Sequence, residues 1–175
     1  MKMIILSDIH GISSNIKILS EQANLNIFNY IVILGDIFNS IYSTSDDKNT
    51  IIKFLQKYKD KLIVVRGNTD TKEDILKIPT KVEDIKYLKI DDIDFYFTHG
   101  HIYNFYNNNT FSNGVMIYGH EHIPYIKKEK DMIYINVGSL SLPRDDNGKT
   151  YAVYEDGKMI IYKLENNNPI IECDL

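Results

Sequence analysis

In this 175-residue chain, each of several short apolar runs is followed closely by a side chain of a metal-ligating type. This pattern limits the possible folds more than any other feature of the sequence. Four such runs cover residues 3–6, 30–34, 62–65 and 94–97. The polar residues that follow them, in chain order, are Asp8, Asp36, Asn68 and His99. Runs of this length are typical of buried strands, and ligands bind at the carboxyl ends of strands in open α/β sheets. The pattern therefore predicts a sheet with one functional edge.

The N-terminal part of the chain alternates strand and helix patterns. Apolar residues at helical spacing predict one helix around residues 12–23 and another around 51–58. Thr71, with Asp74 three residues later, predicts the N-cap of a short third helix. This order is βαβαβ, in which parallel strands are joined by right-handed crossovers.

Beyond residue 80 the pattern becomes mostly strand. Predicted strands cover residues 82–90, 94–97, 115–118, 133–136, 151–154 and 159–164. Few helices separate them, so we expect these strands to form a second sheet that packs on the first. The predicted fold class is α/β, a layered αββα sandwich of two mixed β-sheets flanked by helices. We expect a single domain over residues 1–175.

Composition narrows the kinds of partner. A net charge of −4 argues against a broad basic surface and gives no strong nucleic-acid signal. A membrane partner is not expected, because the chain contains no apolar stretch near the roughly 20 residues that a membrane span requires. Cys173 is the single cysteine, which suits a reducing cytoplasm, the predicted location. Aromatic and aliphatic residues in the C-terminal strands leave room for a homo-oligomer.

All five histidines fall within three short motifs. The motifs are Asp8-Ile9-His10, Thr98-His99-Gly100-His101 and Gly119-His120-Glu121-His122. We expect the first motif to leave its strand still extended, so that the carboxylate and the imidazole point the same way while Ile9 packs inward. The last motif repeats this spacing with two imidazoles.

Two further candidates follow glycines. Gly35 precedes Asp36 and lets the backbone turn sharply, and Gly67 precedes Asn68. The Asn68 amide offers an oxygen to a metal and an NH2 group to a phosphate. Taken alone, each motif is weak evidence, because Gly-Asp pairs after strands are commonly turns. Their convergence at one sheet edge is the stronger argument.

The order Asp-x-His, Gly-Asp, Gly-Asn-x-Asp, His-Gly-His, Gly-His-x-His resembles the calcineurin-like metallophosphoesterase superfamily. Residues 136–144, NVGSLSLPR, narrow the likeness to the small YfcE-type phosphodiesterases. The resemblance runs from Lys2 to about Leu164.

The resemblance implies a site with two divalent metal ions. By motif position, one ion would be held by Asp8, His10 and His122, and the other by Asn68, His99 and His120. Asp36 would bridge both ions, and a water between them would attack phosphorus. The implied catalytic residues are Asp36, Asn68 and His101, with Asn68 and Arg144 binding substrate. All seven ligands offer N or O atoms, which favours Mn, Ni, Zn, Fe or Mg, with Mn²⁺ the first choice.

The implied function is a metal-dependent phosphodiesterase acting on a small phosphate ester. Many relatives carry a histidine after the Gly-Asn pair, where this chain has Thr69. A candidate acid for the leaving group is therefore missing. His101 either contacts the leaving group or the phosphate, or donates a hydrogen bond to a metal-binding residue without touching the metal. Two alternatives remain open: a phosphomonoesterase with the same ligands, and a non-catalytic scaffold of the same fold, which should show broken ligand motifs.

Overall fold

The computed structural model describes residues 1–39, 41 and 43–175. The helices within these residues are α1 (Ser13–Gln22), α2 (Ser45–Lys57) and α3 (Lys72–Ile75), with 3₁₀ turns at Leu25–Ile27 and Lys59–Lys61. The strands are β1 (Lys2–Leu6), β2 (Tyr30–Ile33), β3 (Leu62–Val65), β4 (Val82–Glu83), β5 (Ile85–Ile90), β6 (Ile93–Thr98), β7 (Asn113–Tyr118), β8 (Pro124–Glu129), β9 (Asp131–Val137), β10 (Thr150–Glu155), β11 (Lys158–Lys163) and β12 (Pro169–Asp174).

The strands form two mixed sheets, with orders β12-β11-β10-β1-β2-β3-β4 and β5-β6-β7-β9-β8. β1, β2 and β3 are parallel, as the βαβαβ pattern predicts. The predicted fold class, two mixed sheets with flanking helices, is confirmed. The N-cap prediction is also confirmed, because the Thr71 hydroxyl accepts the backbone N–H of Asp74 at 3.2 Å.

Two predictions about the strands are wrong. Residues 82–90 are not one strand, because β4 joins the first sheet, β5 joins the second, and Asp84 lies between them. β10 and β11 were expected in the second sheet but belong to the first, where β10 pairs antiparallel with β1. Sequence periodicity reports which face of a strand is buried, and it does not identify the neighbouring strand.

The sheets pack face to face, and the first sheet is covered on its other side by helices. Alternate residues of a strand point to opposite faces. Ile4 and Val64 therefore lie in a core with the apolar residues of α1 and α2, whereas Ile5 and Val32 lie in the core between the sheets. Since the parallel strands are apolar on both faces, their polar residues come after the strands have ended.

The outer face of the second sheet carries an aromatic cluster. Tyr118 and Tyr134 pack there against Tyr103, Phe105 and Phe111 from the segment between β6 and β7. This segment follows the predicted His99–His101 motif directly, so its packing fixes the end of that motif. In the part of the chain described, none of the helices is both long and apolar enough to cross a bilayer.

Candidate metal centre

The loops that carry the predicted ligands are hydrogen-bonded to one another. The backbone N–H of His10 donates to the carbonyl of Asp36 at 2.8 Å, and the backbone N–H of Gly119 donates to the carbonyl of His99 at 3.0 Å. The backbone N–H of His120 donates to Asp8 Oδ2 at 2.9 Å, which links the loop of Asp8 to the loop of His120. Ligands far apart in sequence therefore share one edge of the sandwich, as the apolar runs predicted.

The backbone of this edge is strained. Asp8, His10, Asp36, His120 and His122 all have positive φ angles, between 50° and 66°. This left-handed region is costly for residues other than glycine, and such strain concentrates at functional sites. The expectation that Asp8 to His10 stay extended is therefore wrong. The side chains still converge, and Ile9 is fully buried as predicted.

Glycines bring the backbone close to the carboxylates. Gly35 has a φ of 86°, and a Cβ placed there would meet the backbone of Gly67. A Cβ on Gly67 would in turn collide with the carboxylate of Asp36, and one on Gly119 would collide with that of Asp8. Close approach thus requires glycine at all three positions, and the positive φ is a second requirement at Gly35.

Asp8 and Asp36 each have one carboxylate oxygen that faces the centre of the site. Asp8 Oδ2 accepts from the Ser7 hydroxyl at 2.6 Å and from the His120 N–H. Asp8 Oδ1 is buried and accepts no hydrogen bond from the described residues. Asp36 Oδ1 accepts the Thr69 N–H at 2.9 Å, and its Oδ2 faces the imidazoles of His10 and His99 at 3.8 and 3.5 Å.

Three imidazoles are oriented in the same way. Their Nδ1 atoms lie close to main-chain carbonyl oxygens, at 3.0 Å for His10, 2.6 Å for His99 and 2.5 Å for His122. A carbonyl can only accept, so Nδ1 carries the proton and Nε2 is left with its lone pair directed to the centre. Metal-binding histidines are commonly oriented by such a second hydrogen bond.

Two groups of side chains therefore present ligand atoms within 4.8 Å of one another. One contains Asp8, His10 and His122, and the other contains Asp8, Asp36 and His99. The orphaned Asp8 Oδ1 and the free Nε2 atoms suit divalent cations, which would satisfy these ligand atoms. The structure thus brings together five of the predicted ligands.

The remaining two predicted ligands lie beside His99. The Asn68 Oδ1 atom is 2.9 Å from His99 Nε2. The His120 ring packs against His99 with 5.1 Å between ring centroids, although His120 belongs to neither group of three found among the described residues.

Charge and burial compete in this cluster. Burial opposes ionisation of Asp8, but the imidazoles of His10 and His122 outweigh it and hold its pKa well below the usual range. For His99, burial lowers the pKa, but the Asp36 and Asp8 carboxylates and the Leu34 carbonyl together raise the pKa further than burial lowers it. His120 shows the opposite balance, because burial and the charge of His99 lower its pKa. The carboxylates thus draw positive charge into the site.

The two residues predicted to meet substrate lie at the edges of the cluster. His101 is half-buried with its ring centroid 5.4 Å from that of His99, and its Nδ1 atom has no hydrogen-bond partner among the described residues. Arg144 is exposed, and its backbone N–H donates to the carbonyl of His122 at 3.1 Å.

The C-terminal motif, residues 136–144, is hydrogen-bonded to the loops that carry the predicted ligands. The Ser139 hydroxyl donates to the carbonyl of Asp8 at 3.0 Å and accepts the Leu142 N–H at 2.9 Å. The Asn136 amide donates to the carbonyl of Gly119 at 2.8 Å. These contacts hold both the Asp8 loop and the loop that leads to His120.

Asp70 lies at the end of the Gly-Asn-x-Asp motif, beside the loop that carries Asp36. Its carboxylate accepts the N–H groups of Asp36 at 2.9 Å, Gly67 at 2.8 Å and Ile37 at 2.8 Å. The cap is Thr71, so Asp70 fixes the loop that carries Asp36. The sequence signal was present, since Asp70 closes the Gly-Asn-x-Asp motif.

Asp70→Asn is expected to weaken both the fold and the binding of metal. The introduced amide group would place a donor against a backbone N–H, which should lower the free energy of unfolding by about 1–3 kcal/mol. Because the Asp36 loop would shift, we expect Mn²⁺ affinity to fall roughly 10- to 100-fold. Urea unfolding without metal and Mn²⁺ titration measure the two effects.

The matched control is Asp92→Asn, which changes a fully exposed carboxylate. If Asp70→Asn behaved like this control in both measurements, the supporting role of Asp70 would be wrong.

The chain is similar to known phosphoesterases. Phosphodiesterase YfcE of Escherichia coli is 26% identical over 98% of this chain and 97% of its own length. A phosphodiesterase of Methanocaldococcus jannaschii is 29% identical over 79% of this chain and 83% of its own. A solved structure of YfcE, described as a phosphoesterase from E. coli, superimposes with a TM-score of 0.90 at 24% identity and covers 99% of both chains.

The match to a family model is extensive. The model of the calcineurin-like phosphoesterase superfamily domain covers residues 1–158, a range that includes every predicted metal ligand. The motif order, the shared fold and this match agree. The chain belongs to the calcineurin-like phosphoesterase superfamily.

Proposed function

We propose that this chain is a metal-dependent phosphodiesterase that hydrolyses small phosphate diesters. One observation carries the metal requirement: three imidazoles, each held through Nδ1 by a main-chain carbonyl, direct Nε2 toward two buried carboxylates. The relatives named as phosphodiesterases support the diester as the substrate class.

The proposed centre holds two ions. Asp8, His10 and His122 would hold the first ion, and the second would lie with Asn68, His99 and His120. Asp36 would bridge them, which its Oδ2 position between the His10 and His99 imidazoles supports. His120 is assigned from its motif and from its ring packing beside His99. The N and O donors suit Mn²⁺, our first choice, as well as Ni²⁺, Zn²⁺, Fe²⁺ and Mg²⁺.

The proposed metal ions and the side chains around them have separate roles. Two divalent ions, when bound, lower the pKa of a water and neutralise phosphoryl oxygens. The carboxylates of Asp8 and Asp36 contribute two negative charges, so the loaded site would be electropositive on an acidic protein. The Asn68 NH2 group donates to a phosphoryl oxygen, and His101 contacts the phosphate or the leaving oxygen. Arg144, on the segment bonded to His122, binds the substrate from outside.

The direct test compares bis-p-nitrophenyl phosphate with p-nitrophenyl phosphate after loading with Mn²⁺, Ni²⁺, Zn²⁺ or Mg²⁺. We expect the diester to be hydrolysed with the higher kcat/KM and Mn²⁺ to support the highest rate. A higher kcat/KM for the monoester would favour the phosphomonoesterase alternative. Absence of hydrolysis with every ion would favour the scaffold, against which the unbroken ligand motifs now argue.

The residue at position 69 leads to a prediction about leaving groups. Thr69 has a buried hydroxyl without a hydrogen-bond partner among the described residues, and a hydroxyl cannot supply a proton as an imidazole does. We expect kcat/KM for aryl methyl phosphates to fall steeply as the pKa of the leaving phenol rises. Measured rates across such a series give the slope.

Equal rates for aryl and alkyl leaving groups would contradict this prediction. In that case His101 would be the acid to test, because His101→Gln should then make the slope steeper.

A further inference from the structure

A pocket adjoins the proposed metal centre on the side of Asn68. Its volume is about 250 Å³, and its lining residues are Arg66, Gly67, Asn68, Asp70 and His101. We call it the Arg66 pocket. None of these lining residues has an apolar side chain, so the pocket suits a polar group better than an aromatic or aliphatic one.

The walls of the Arg66 pocket offer mainly hydrogen-bond donors. Asn68 Oδ1 and His99 Nε2 lie 2.9 Å apart and would both bind the proposed second ion, which would leave the Asn68 NH2 group available. The His101 Nδ1 atom is buried without a partner among the described residues. The one acidic residue, Asp70, has its carboxylate occupied by three backbone N–H groups. A negatively charged ligand would therefore meet donors and little competing negative charge.

Arg66 supplies the positive charge. It follows β3 directly, and its backbone N–H donates to the carbonyl of Glu83 at 2.8 Å, which anchors the residue. Its guanidinium Nη2 atom pairs with Asp84 Oδ1 at 2.7 Å, and the side chain is 44% exposed. An arginine has five N–H donors, so this single contact orients the guanidinium and leaves other donors for a ligand.

We propose that the Arg66 pocket binds an anionic group, a carboxylate or a phosphate, on the ester substituent beside the scissile phosphorus. Arg66 then determines which diesters are preferred. Arginine recognises both anions through paired N–H···O bonds, so the two sources share one chemistry. This inference rests on the proposed phosphodiesterase function and names the substrate class for the same site.

The test uses p-nitrophenyl phosphodiesters that differ only in the second substituent, which is ethyl, 2-carboxyethyl or 2-phosphoethyl. We expect wild type to have a kcat/KM roughly 10- to 100-fold higher for the two charged esters than for the ethyl ester. Arg66→Gln should reduce both ratios to near one. Arg66→Lys should give intermediate ratios, because it keeps the charge and loses the paired geometry.

The control variant is Lys53→Gln, which removes one positive charge from an exposed position on α2 and should keep the wild-type ratios. Ratios near one in wild type, or ratios unchanged by Arg66→Gln, would overturn the proposal. A preference confined to the phosphate or the carboxylate ester would identify the source of the anion.

A binding experiment separates failure of this inference from failure of the proposed function. Calorimetry on the Mn²⁺-loaded protein would compare phosphonoacetate, which carries a carboxylate arm, with methylphosphonate. We expect wild type to bind phosphonoacetate at least about 10-fold more tightly, and Arg66→Gln to lose this preference. If no ester is hydrolysed but the preference is present, the function fails and the anion site stands. Equal binding in wild type would overturn the Arg66 pocket itself.

Discussion

Asp36→Asn is expected to lower kcat/KM for bis-p-nitrophenyl phosphate by about 100-fold or more. The substitution keeps the volume of the side chain and the acceptor for the Thr69 N–H. It removes the negative charge of the carboxylate whose Oδ2 atom faces both His10 and His99, and this carboxylate is the proposed bridging ligand. An amide oxygen is a weaker, neutral ligand, so binding of the ions should fail together with turnover.

The same variant should lose only a little stability in the absence of metal. Burial raises the pKa of Asp36, but its contacts to His99 and to the Thr69 N–H together lower the pKa below its usual value. The fold therefore favours the ionised carboxylate, so the neutral amide loses some stability, and relief of the repulsion by Asp8 offsets part of that loss. Thermal unfolding with and without Mn²⁺ separates the two effects: the metal-free Tm should stay within a few degrees of wild type, and the increase on adding Mn²⁺ should vanish.

Asp92→Asn is the matched control for Asp36→Asn, because Asp92 is fully exposed. It should keep wild-type activity and the wild-type response to Mn²⁺. Full activity in Asp36→Asn would refute the bridging role of the carboxylate.

His122→Gln and His101→Gln are expected to affect metal content differently, although the chemical change is the same. His122 Nε2 lies 3.0 Å from Asp8 Oδ1 and 3.4 Å from His10 Nε2, so its loss should remove the ion at that position. His101 lines the Arg66 pocket instead, so its loss should leave the metal content unchanged. We expect both variants to lose activity, by about 100-fold or more for His122→Gln.

Metal analysis of the purified variants distinguishes these outcomes. Equal loss of metal from both variants would place His101 among the ligands, contrary to the proposal. Retention of the full metal content by His122→Gln would remove His122 from the ligand set.

The sheet edge and part of its polar set could be predicted because Asp8, Asp36 and Asn68 follow buried parallel strands of one sheet. Apolar runs such as 3–6 and 62–65 identify strands, and strand ends in a parallel sheet meet at one edge. Motif spacing then selected Asp8, Asp36 and His99, which the structure brings together. Local sequence sufficed for Asp8 and Asp36 because the βαβ connection sets strand direction, whereas His99 follows β6 of the second sheet and joins them through the packing of the two sheets.

Other features depend on contacts that a local pattern does not contain. The left-handed backbone at Asp8 and His10 is held by hydrogen bonds to the neighbouring loop, so spacing alone suggested an extended segment. The division of residues 82–90 between two sheets depends on long-range pairing. Arg66 was missed although it directly precedes Gly67, because a single charged residue after a strand is commonly a solvated surface residue.

This chain is proposed to hold two divalent ions in one site. The most direct measurement is the number of Mn²⁺ ions bound per chain, determined by equilibrium dialysis and elemental analysis, with diesterase activity followed in parallel. We expect about two ions per chain at saturation, with activity that rises only as the second ion binds. Full activity with a single ion, or full activity without any bound Mn²⁺, Ni²⁺, Zn²⁺ or Mg²⁺, would refute the two-ion site.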